Sequence, residues 1–403
     1  MTSAGETTTC AIAGGGPAGM VLGLLLARAG IEVSVLEKHG DFLRDFRGDT
    51  VHPSTMGLLD DLGLGAQFAA LPASIIERVS LDIAGQPTTL VDFTRLHTRH
   101  PYVAMVPQWD LLNLLAEAAA AEPTFTLRMN CAATGLLRDG QRVTGITYDG
   151  PAGPGELRAD LTVACDGRTS VLRQAAGLTA REYPVPFDVW WFRLPRESGG
   201  VYSLIPRTSG GRTAVMIPRE GYFQIAYFIP KGADGRLRAQ GLADFRRGLS
   251  EVIPEVPNDV LSSWDDVKLL DARLNRLHRW YTDGLLCIGD AAHAMSPAGG
   301  VGINLAVQDA VAAARLLAGP LRAHRVRPRD LAAVQRRRTL PTVATQSAQR
   351  VMHRGIFRQG GIDIRPPAAL RTVVERLPGL SVVPAYFVGI GLRPEHAPDF
   401  ARR

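Results

Sequence analysis

A glycine-rich turn near the start of the chain constrains the fold more than any other feature. The turn, Gly14–Gly19 (GGGPAG), lies between a predicted strand over Thr8–Ala13 and a predicted helix over Pro17–Ala29. The segment Ile31–Glu37 is rich in β-branched residues and predicts a second strand. Together these segments predict a βαβ unit with a right-handed crossover. The start of such a helix is a ready-made site for an anion.

Each glycine of this turn is expected to have its own role. Gly14 permits the tight turn out of the strand, Gly16 lets the backbone approach a pyrophosphate, and Gly19 lets the helix pack close to the strand. Glu37 follows Gly19 by 18 residues, where a carboxylate can accept hydrogen bonds from a ribose. The pattern predicts a dinucleotide site and leaves NAD and FAD open. Pro17, Ala18 and Lys38 are the further residues expected to contact the dinucleotide at this site.

A second motif lies late in the chain. A predicted strand over Leu285–Ile288 leads directly into Gly289 and Asp290, and a carboxylate at a strand end can bind a hydroxyl. A glycine loop then precedes a helix whose first amides can stabilise negative charge on a ring. These loop and helix-start residues are Gly299, Gly300, Gly302, Ile303 and Asn304. An extended cofactor that reaches this loop from the first turn would have its ribityl chain beside Asp290.

The late motif, GDAAH-x-x-x-P-x-x-G-x-G-x-N followed by Asp309, resembles that of the FAD-dependent aromatic hydroxylases. The p-hydroxybenzoate hydroxylase-like group A flavoprotein monooxygenases are the type members. Residues 164–173 (ACDGRTSVLR) resemble the Asp-Gly motif of the same family, (A/G)-x-D-G-x-x-S-x-x-R. The resemblance covers about residues 8–320, with the motifs in family order. It implies FAD as the cofactor, and further contacts to it from Arg47, Gln108, Asp166 and Pro297.

The resemblance also implies a reaction. NADH or NADPH would reduce FAD, and the reduced flavin would react with O2 to give a C4a-hydroperoxide that hydroxylates a phenol-like small molecule. His293 and Pro297 are the catalytic candidates, although the resemblance favours support of the loop as the role of His293, because the histidine of this motif usually has that role in the family. A flavin-dependent epoxidase or dehydrogenase on the same scaffold remains an alternative. A non-catalytic flavin- or ligand-binding protein and an NAD-only dehydrogenase are alternatives of other classes.

The predicted fold is α/β: a Rossmann-like FAD-binding domain with an inserted, sheet-rich substrate domain and a helical C-terminal region. In the substrate domain, Trp190, Trp191 and Phe192 are expected either to line an aromatic pocket or to pack in the core. The expected boundaries are 1–70, 101–181 and 272–330 for the FAD-binding domain, 71–100 and 182–271 for the substrate domain, and 331–403 for the C-terminal region.

Composition excludes several other classes. Hydrophobic residues make up 46% of the 403 residues, but no apolar stretch approaches the ~20 residues that span a bilayer. No signal peptide is recognisable, so a cytoplasmic location is expected.

The arginine-rich run Arg322–Arg338 lacks the interleaved aromatics of a nucleic-acid site and predicts a solvated helix face. The four cysteines are not spaced as metal ligands, so no metal site is expected. The oligomeric state is left open.

Overall fold

The computed structural model describes residues 6–43, 50–83, 86–195, 204–219, 221–255, 260–358, 361–362 and 376–403. The strands are β1 Glu6–Ala13, β2 Val33–Leu36, β3 Thr50–Val51, β4 Ser74–Ile76, β5 Arg78–Ile83, β6 Gln86–Asp92, β7 Val103–Met105, β8 Phe125–Arg128, β9 Ala132–Asp139, β10 Arg142–Gly150, β11 Gly153–Ala164, β12 Ala180–Tyr183, β13 Phe187–Pro195, β14 Ile205–Ser209, β15 Arg212–Pro218, β16 Tyr222–Pro230, β17 Lys268–Leu270, β18 Leu274–Leu277, β19 Tyr281–Thr282, β20 Leu285–Cys287, β21 Phe357–Arg358 and β22 Gly361–Ile362. The helices are α1 Pro17–Arg28, α2 Pro53–Asp61, α3 Gly65–Ala69, α4 Gln108–Ala120, α5 Val171–Ala175, α6 Asp234–Ala239, α7 Leu242–Val252, α8 Gly302–Arg322, α9 Pro328–Ile356 and α10 Val382–Gly389.

A largely parallel sheet forms the centre of the fold. Its strand order is β19-β20-β11-β1-β2-β8, with β10 and β9 added as an antiparallel extension beside β11. The strands β8, β2, β1, β11 and β20 are all parallel to their neighbours within this run. Helices α1 and α8 pack against each other beside the sheet, and their apolar residues join those of the strands in the largest core cluster. The predicted α/β class is therefore confirmed.

A second, antiparallel sheet has the order β14-β15-β16-β13-β17. One face is covered by α7, whose Phe245 and Leu249 pack with Trp190 and Tyr227 of the sheet. The opposite face packs against the start of α8, where Val301 belongs to the same apolar cluster as sheet residues. The antiparallel sheet therefore lies over the glycine loop that precedes α8. The domain boundaries expected from the sequence stay predictions.

The C-terminal region is helical, as predicted, and its long helix α9 lies against α8. The interpretation of Arg322–Arg338 as one solvated helix face was wrong. Arg322 ends α8, α9 begins at Pro328, and Arg338 is 1% exposed. The side chain of Arg338 is buried because a buried carboxylate of α8, Asp309, accepts its hydrogen bond. In the described part of the chain, no helix is both long enough and apolar enough to cross a membrane.

Candidate active site

The register of the parallel sheet brings the sequence motifs to one edge. Leu36, Ala13, Ala164 and Cys287 lie side by side on β2, β1, β11 and β20. Because these four strands are parallel, the residues that follow them emerge at the same edge of the sheet. Those residues carry the predicted site: Glu37, Gly14, Asp166, Gly289 and Asp290. The carboxyl edge of such a sheet is where open α/β folds bind their ligands.

The first glycine turn is tightly packed on two sides and open on the third. Gly14 has φ +104°, and a Cβ there would lie 2.4 Å from the carbonyl oxygen of Cys165. A Cβ on Gly19 would lie 2.0 Å from the carbonyl oxygen of Gly14. A Cβ on Gly16, in contrast, would meet nothing within 4 Å. Gly16 precedes Pro17, the first residue of α1, so the open side of the turn faces outward at a helix start whose first amides have no intrahelical acceptor.

Glu37 is buried beside this turn, with 2% of its surface exposed. Its carboxylate accepts hydrogen bonds from the backbone N–H of Gly15 at 2.8 Å and of His39 at 3.0 Å. These bonds fix the carboxylate next to the glycine turn. The neighbouring Lys38 is exposed.

Gly289 links the early and the late motifs. It has φ +59°, and a Cβ there would lie 3.2 Å from the Cβ of Ala306 on α8 and 3.4 Å from the Cβ of Ala18 on α1. The late motif therefore packs directly against the first turn of α1. Asp290, the next residue, is half-buried and pairs with Arg168, whose Nη2 lies 3.3 Å from Asp290 Oδ2. One side chain of the Asp-Gly segment thus contacts the late motif.

The Asp-Gly segment also carries a half-buried carboxyl group with unused hydrogen-bonding capacity. Asp166 Oδ2 accepts from the backbone N–H of Leu172 at 3.2 Å, whereas its buried Oδ1 has no hydrogen-bond partner within the described part of the chain. Burial raises the pKa of Asp166, against the hydrogen bonds from Ser170 and nearby amides that favour its charged form. Arg173 braces the segment by donating to the carbonyl oxygen of Ala291 at 3.1 Å.

His293 belongs to a buried ion cluster. Its Nε2 lies 2.6 Å from Asp309 Oδ2, and the backbone N–H of Gly289 donates to the same oxygen at 3.1 Å. Arg338 Nε donates to Asp309 Oδ1 at 2.9 Å. Burial favours a raised pKa for Asp309, but the charges of His293 and Arg338 outweigh it and hold the pKa below its ordinary value. The cluster ties α8 and α9 to the strand end that precedes Asp290.

The loop before α8 rests against the N-terminal half of the chain. Gly300 has φ +64°, and a Cβ there would lie 2.8 Å from Thr50 Oγ1. Asn304 is 4% exposed, and its Oδ1 accepts from Ser54 Oγ at 2.8 Å and Thr55 Oγ1 at 3.0 Å. The side chain of Asn304 thus holds α8 to α2. The backbone amides of Gly302, Ile303 and Asn304 lie in the first turn of α8, where amides have no intrahelical acceptor.

Helix α9 holds the segment that carries Pro297, a contact that no sequence motif predicted. Gln349 Nε2 donates to the carbonyl oxygens of Ser296 at 2.9 Å and Ala298 at 2.8 Å, and its Oε1 accepts from the Ser296 N–H at 3.2 Å. His353 Nε2 forms a hydrogen bond with Ser296 Oγ at 2.9 Å. The only sequence signal was the spacing of two polar residues on one helix face, which by itself is common on solvated helices.

Two further cofactor contacts were predicted, at Gln108 and Arg47. Gln108 is half-buried and begins α4. Arg47 lies outside the described residues.

A parallel sheet with a glycine turn, a buried acid after its second strand and a second glycine loop at its carboxyl edge is the architecture of a dinucleotide-binding protein. The chain belongs to the FAD binding domain family, whose family model matches residues 6–348. Within that family it is an FAD-dependent monooxygenase of the aromatic hydroxylase type.

Named relatives agree with this class. The chain is 32% identical over 380 residues to 6-methylpretetramide 4-monooxygenase of Streptomyces rimosus, covering 93% of this chain and 90% of that protein. It is 33% identical over 316 residues to 12-dehydrotetracycline 5-monooxygenase/anhydrotetracycline 6-monooxygenase of the same species. That match covers 74% of this chain and 60% of the relative's length. The structure of OxyS anhydrotetracycline hydroxylase from Streptomyces rimosus superposes with a TM-score of 0.75 at 26% identity, covering 98% of this chain and 77% of that one.

Proposed function

We propose that the protein uses NADH or NADPH and O2 to hydroxylate a phenol-like aromatic small molecule, with FAD held along the carboxyl edge of the parallel sheet. The packing of Gly289 between Ala18 and Ala306 carries this proposal, because it brings the first glycine turn and the glycine loop before α8 together. A single extended cofactor can then contact both helix starts.

The residues at this edge fit FAD. The open side of Gly16 and the start of α1 suit a pyrophosphate, and Glu37 beside the turn suits the adenosine ribose. Asp290 and the unused Oδ1 of Asp166 suit hydroxyl and amide groups further along the cofactor. We assign the cofactor contacts to Gly14, Gly16, Pro17, Ala18, Gly19, Glu37, Lys38, Arg47, Gln108, Asp166, Gly289, Asp290, Pro297, Gly300, Gly302, Ile303 and Asn304.

FAD, when bound, would supply the redox chemistry between the nicotinamide, O2 and the aromatic substrate. The chain's own residues have the tasks of binding, orienting and excluding water. The first amides of α8 would stabilise negative charge on the flavin ring. The Ser296–Gly300 loop, held by Gln349, would orient Pro297 at the substrate edge of the cofactor.

His293 is assigned a positioning role in this proposal. It is 1% exposed and bonded to Asp309, and its ring centroid lies 4.8 Å from that of Trp280, with the two ring planes tilted by 45°. A general base must reach the proton that it removes within hydrogen-bond distance. The apolar and ionic surroundings of His293 favour support of the strand end over proton transfer to a substrate.

The substrate class is inferred from the relatives. Two of these relatives act, by their names, on 6-methylpretetramide and on the tetracyclines 12-dehydrotetracycline and anhydrotetracycline. We propose a polycyclic aromatic molecule with phenolic hydroxyls as the substrate. A flavin epoxidase, a dehydrogenase and a non-catalytic ligand-binding protein remain the competing functions.

The test is oxygen-isotope incorporation by purified protein. The expected result is a protein that co-purifies with FAD, oxidises NADH or NADPH faster when anhydrotetracycline or another phenolic polycycle is added, and transfers one ¹⁸O atom from ¹⁸O2 into the product. An oxidised product without ¹⁸O would indicate a dehydrogenase. No stimulated NAD(P)H oxidation across a panel of phenols and polycyclic aromatics would refute the proposed function. An epoxide product would favour the epoxidase.

A further inference from the structure

The two faces of the antiparallel sheet differ in how their polar groups are satisfied. Trp191 lies opposite Ala226, and Arg193 lies opposite Gln224, on strands β13 and β16. Paired residues of neighbouring strands point to the same face, and successive residues alternate. Trp191 and Gln224 therefore share one face, whereas Trp190 belongs to the other.

Trp190 is a packed core residue with a satisfied indole. Its Nε1 donates to Asp234 Oδ1 at 2.7 Å, and its ring contacts Tyr227, Phe245 and Trp264. The sequence left open whether these tryptophans line a pocket or pack in the core. For Trp190 the structure favours packing.

Trp191 and Gln224 have no such partners. Gln224 is 1% exposed, yet neither its amide oxygen nor its amide nitrogen has a hydrogen-bond partner within the part of the chain that the structure describes. The buried Nε1 of Trp191 also lacks a partner there. More than about 90% of buried polar groups in native proteins are satisfied by protein or water. Three unsatisfied atoms on one face therefore point to a partner from outside the chain.

The face that carries these atoms is turned toward the proposed reaction centre. Trp191 packs against two apolar clusters. One contains Val301, the residue just before α8, and the other contains Met105 and Ile217. Ile217 lies opposite Gln224 on the neighbouring strand β15. Gln224 thus lies between Ile217 and Arg193 of the neighbouring strands, and Trp191 packs with the apolar cluster that reaches the glycine loop assigned to the flavin.

We infer that Gln224 and Trp191 bind polar substituents of the aromatic substrate. An amide offers one donor side and one acceptor side, and an indole offers one donor. This set matches a ring edge on which a hydroxyl stands beside a carbonyl, and the surrounding apolar residues match the fused rings. The inference rests on the proposed function, because it takes the face beside the glycine loop as the substrate side.

Two replacements in the FAD-loaded enzyme test this assignment. Gln224→Met keeps the side-chain length and removes both polar ends, and Trp191→Phe keeps an aromatic ring and removes the N–H. Gln346→Met is the matched control, because Gln346 is also 1% exposed but donates to the carbonyl oxygen of Asn275 at 2.6 Å.

The first measurement is the melting temperature without substrate. If Gln224 is unsatisfied in the free enzyme, Gln224→Met removes a buried desolvated amide and raises the melting temperature. Gln346→Met breaks a made hydrogen bond and lowers it. A fall for Gln224→Met as large as that for Gln346→Met would assign Gln224 a structural role and overturn the inference.

The second measurement is the ratio of dissociation constants for two probes, 8-hydroxy-1-tetralone and 1-tetralone, followed by quenching of protein and flavin fluorescence. The wild type should bind the hydroxyketone at least about tenfold more tightly, the equivalent of one good hydrogen bond. Gln224→Met should bring the ratio close to one, and Trp191→Phe should weaken binding of both probes, with FAD content unchanged. A wild type without preference, or a ratio that survives Gln224→Met, overturns the inference.

Neither measurement requires turnover. An enzyme that shows the expected melting shift and probe preference but incorporates no ¹⁸O would refute the proposed hydroxylation and support the binding role of Gln224. An enzyme that hydroxylates phenols but shows neither the melting shift nor the probe preference would support the proposed hydroxylation and refute the binding role of Gln224.

Discussion

Replacing Asp309 by asparagine tests the buried ion cluster that joins α8, α9 and the strand end before Asp290. The carboxylate is fully buried and accepts hydrogen bonds from Gly289 N–H, His293 Nε2 and Arg338 Nε. Asparagine has nearly the same shape but supplies one acceptor oxygen, and its amide group turns a donor toward donors. Arg338 would be left buried beside a neutral group.

The expected cost can be worked from these contacts. A buried donor without a partner costs about 1–3 kcal/mol, and removing one member of a buried ion pair costs about 3–5 kcal/mol. Arg338 Nη1 lies 3.7 Å from Glu395 Oε1, which compensates part of its charge. The free energy of unfolding should therefore fall by about 3 kcal/mol or slightly more.

The assay is thermal and urea unfolding of the FAD-loaded protein, followed by circular dichroism and flavin release. Asp244→Asn is the control, because Asp244 pairs with Arg247 on the surface, where the side chains are 48% and 74% exposed. The control should change stability by less than about 1 kcal/mol. If Asp309→Asn were no more destabilising than Asp244→Asn, the ion cluster would not hold α8 and α9 to the strand end.

Three further predictions concern the cofactor, the loop and acid stability. Asp290→Ala should raise the dissociation constant of FAD at least about tenfold, since one hydrogen bond to a charged group is worth about 1.5–3 kcal/mol. The apoprotein should keep its circular dichroism spectrum. A variant that purifies with full flavin content would contradict the role of Asp290. Gln349→Leu should retain FAD but divert more of the consumed NAD(P)H to hydrogen peroxide, because the loop that carries Pro297 loses its support. Val351→Ala, at a position that is 67% exposed, is the control. An unchanged ratio of hydrogen peroxide formed to NAD(P)H consumed would argue against support of the loop by α9. Burial lowers the pKa of His52 to about 4, so below pH ~6.5 the unfolded chain binds a proton that the folded chain does not, and stability should fall from there toward about pH 4. His52→Gln should make the fall in melting temperature over this pH range shallower, whereas a parallel curve would show that His52 is not its source.

The motifs could be predicted because glycine positions record local steric demands. Gly14 was assigned a tight turn and has φ +104°, and Gly19 was assigned close packing and leaves no room for a Cβ beside Gly14. The strands and helix around them follow from short-range patterns of apolar and β-branched residues. The start of helix α8 was predicted after the glycine loop, whereas its end at Arg322 was not, because helix ends are fixed less by periodicity than by their surroundings.

Residues whose role depends on distant partners could not be predicted in the same way. Arg338 lay in a basic run that indicated solvent, yet a carboxylate 29 positions earlier in the chain draws it into the core. Gln349 carried no motif, and its role depends on a loop 53 positions away. Trp190 and Trp191 are adjacent and chemically alike. Alternation along the strand places them on opposite faces, but only the tertiary structure shows that the face of Trp191 packs toward the loop before α8.

The class of fold and the cofactor family could be predicted from local motifs, because a dinucleotide turn, an Asp-Gly segment and a late glycine loop are each specified by residues close together in the chain. The tertiary structure alone decided that the strand ends behind these three motifs lie side by side and which side chains meet there. Strand order, register and burial depend on contacts between segments hundreds of residues apart, and no local pattern records which partner a buried polar group will find.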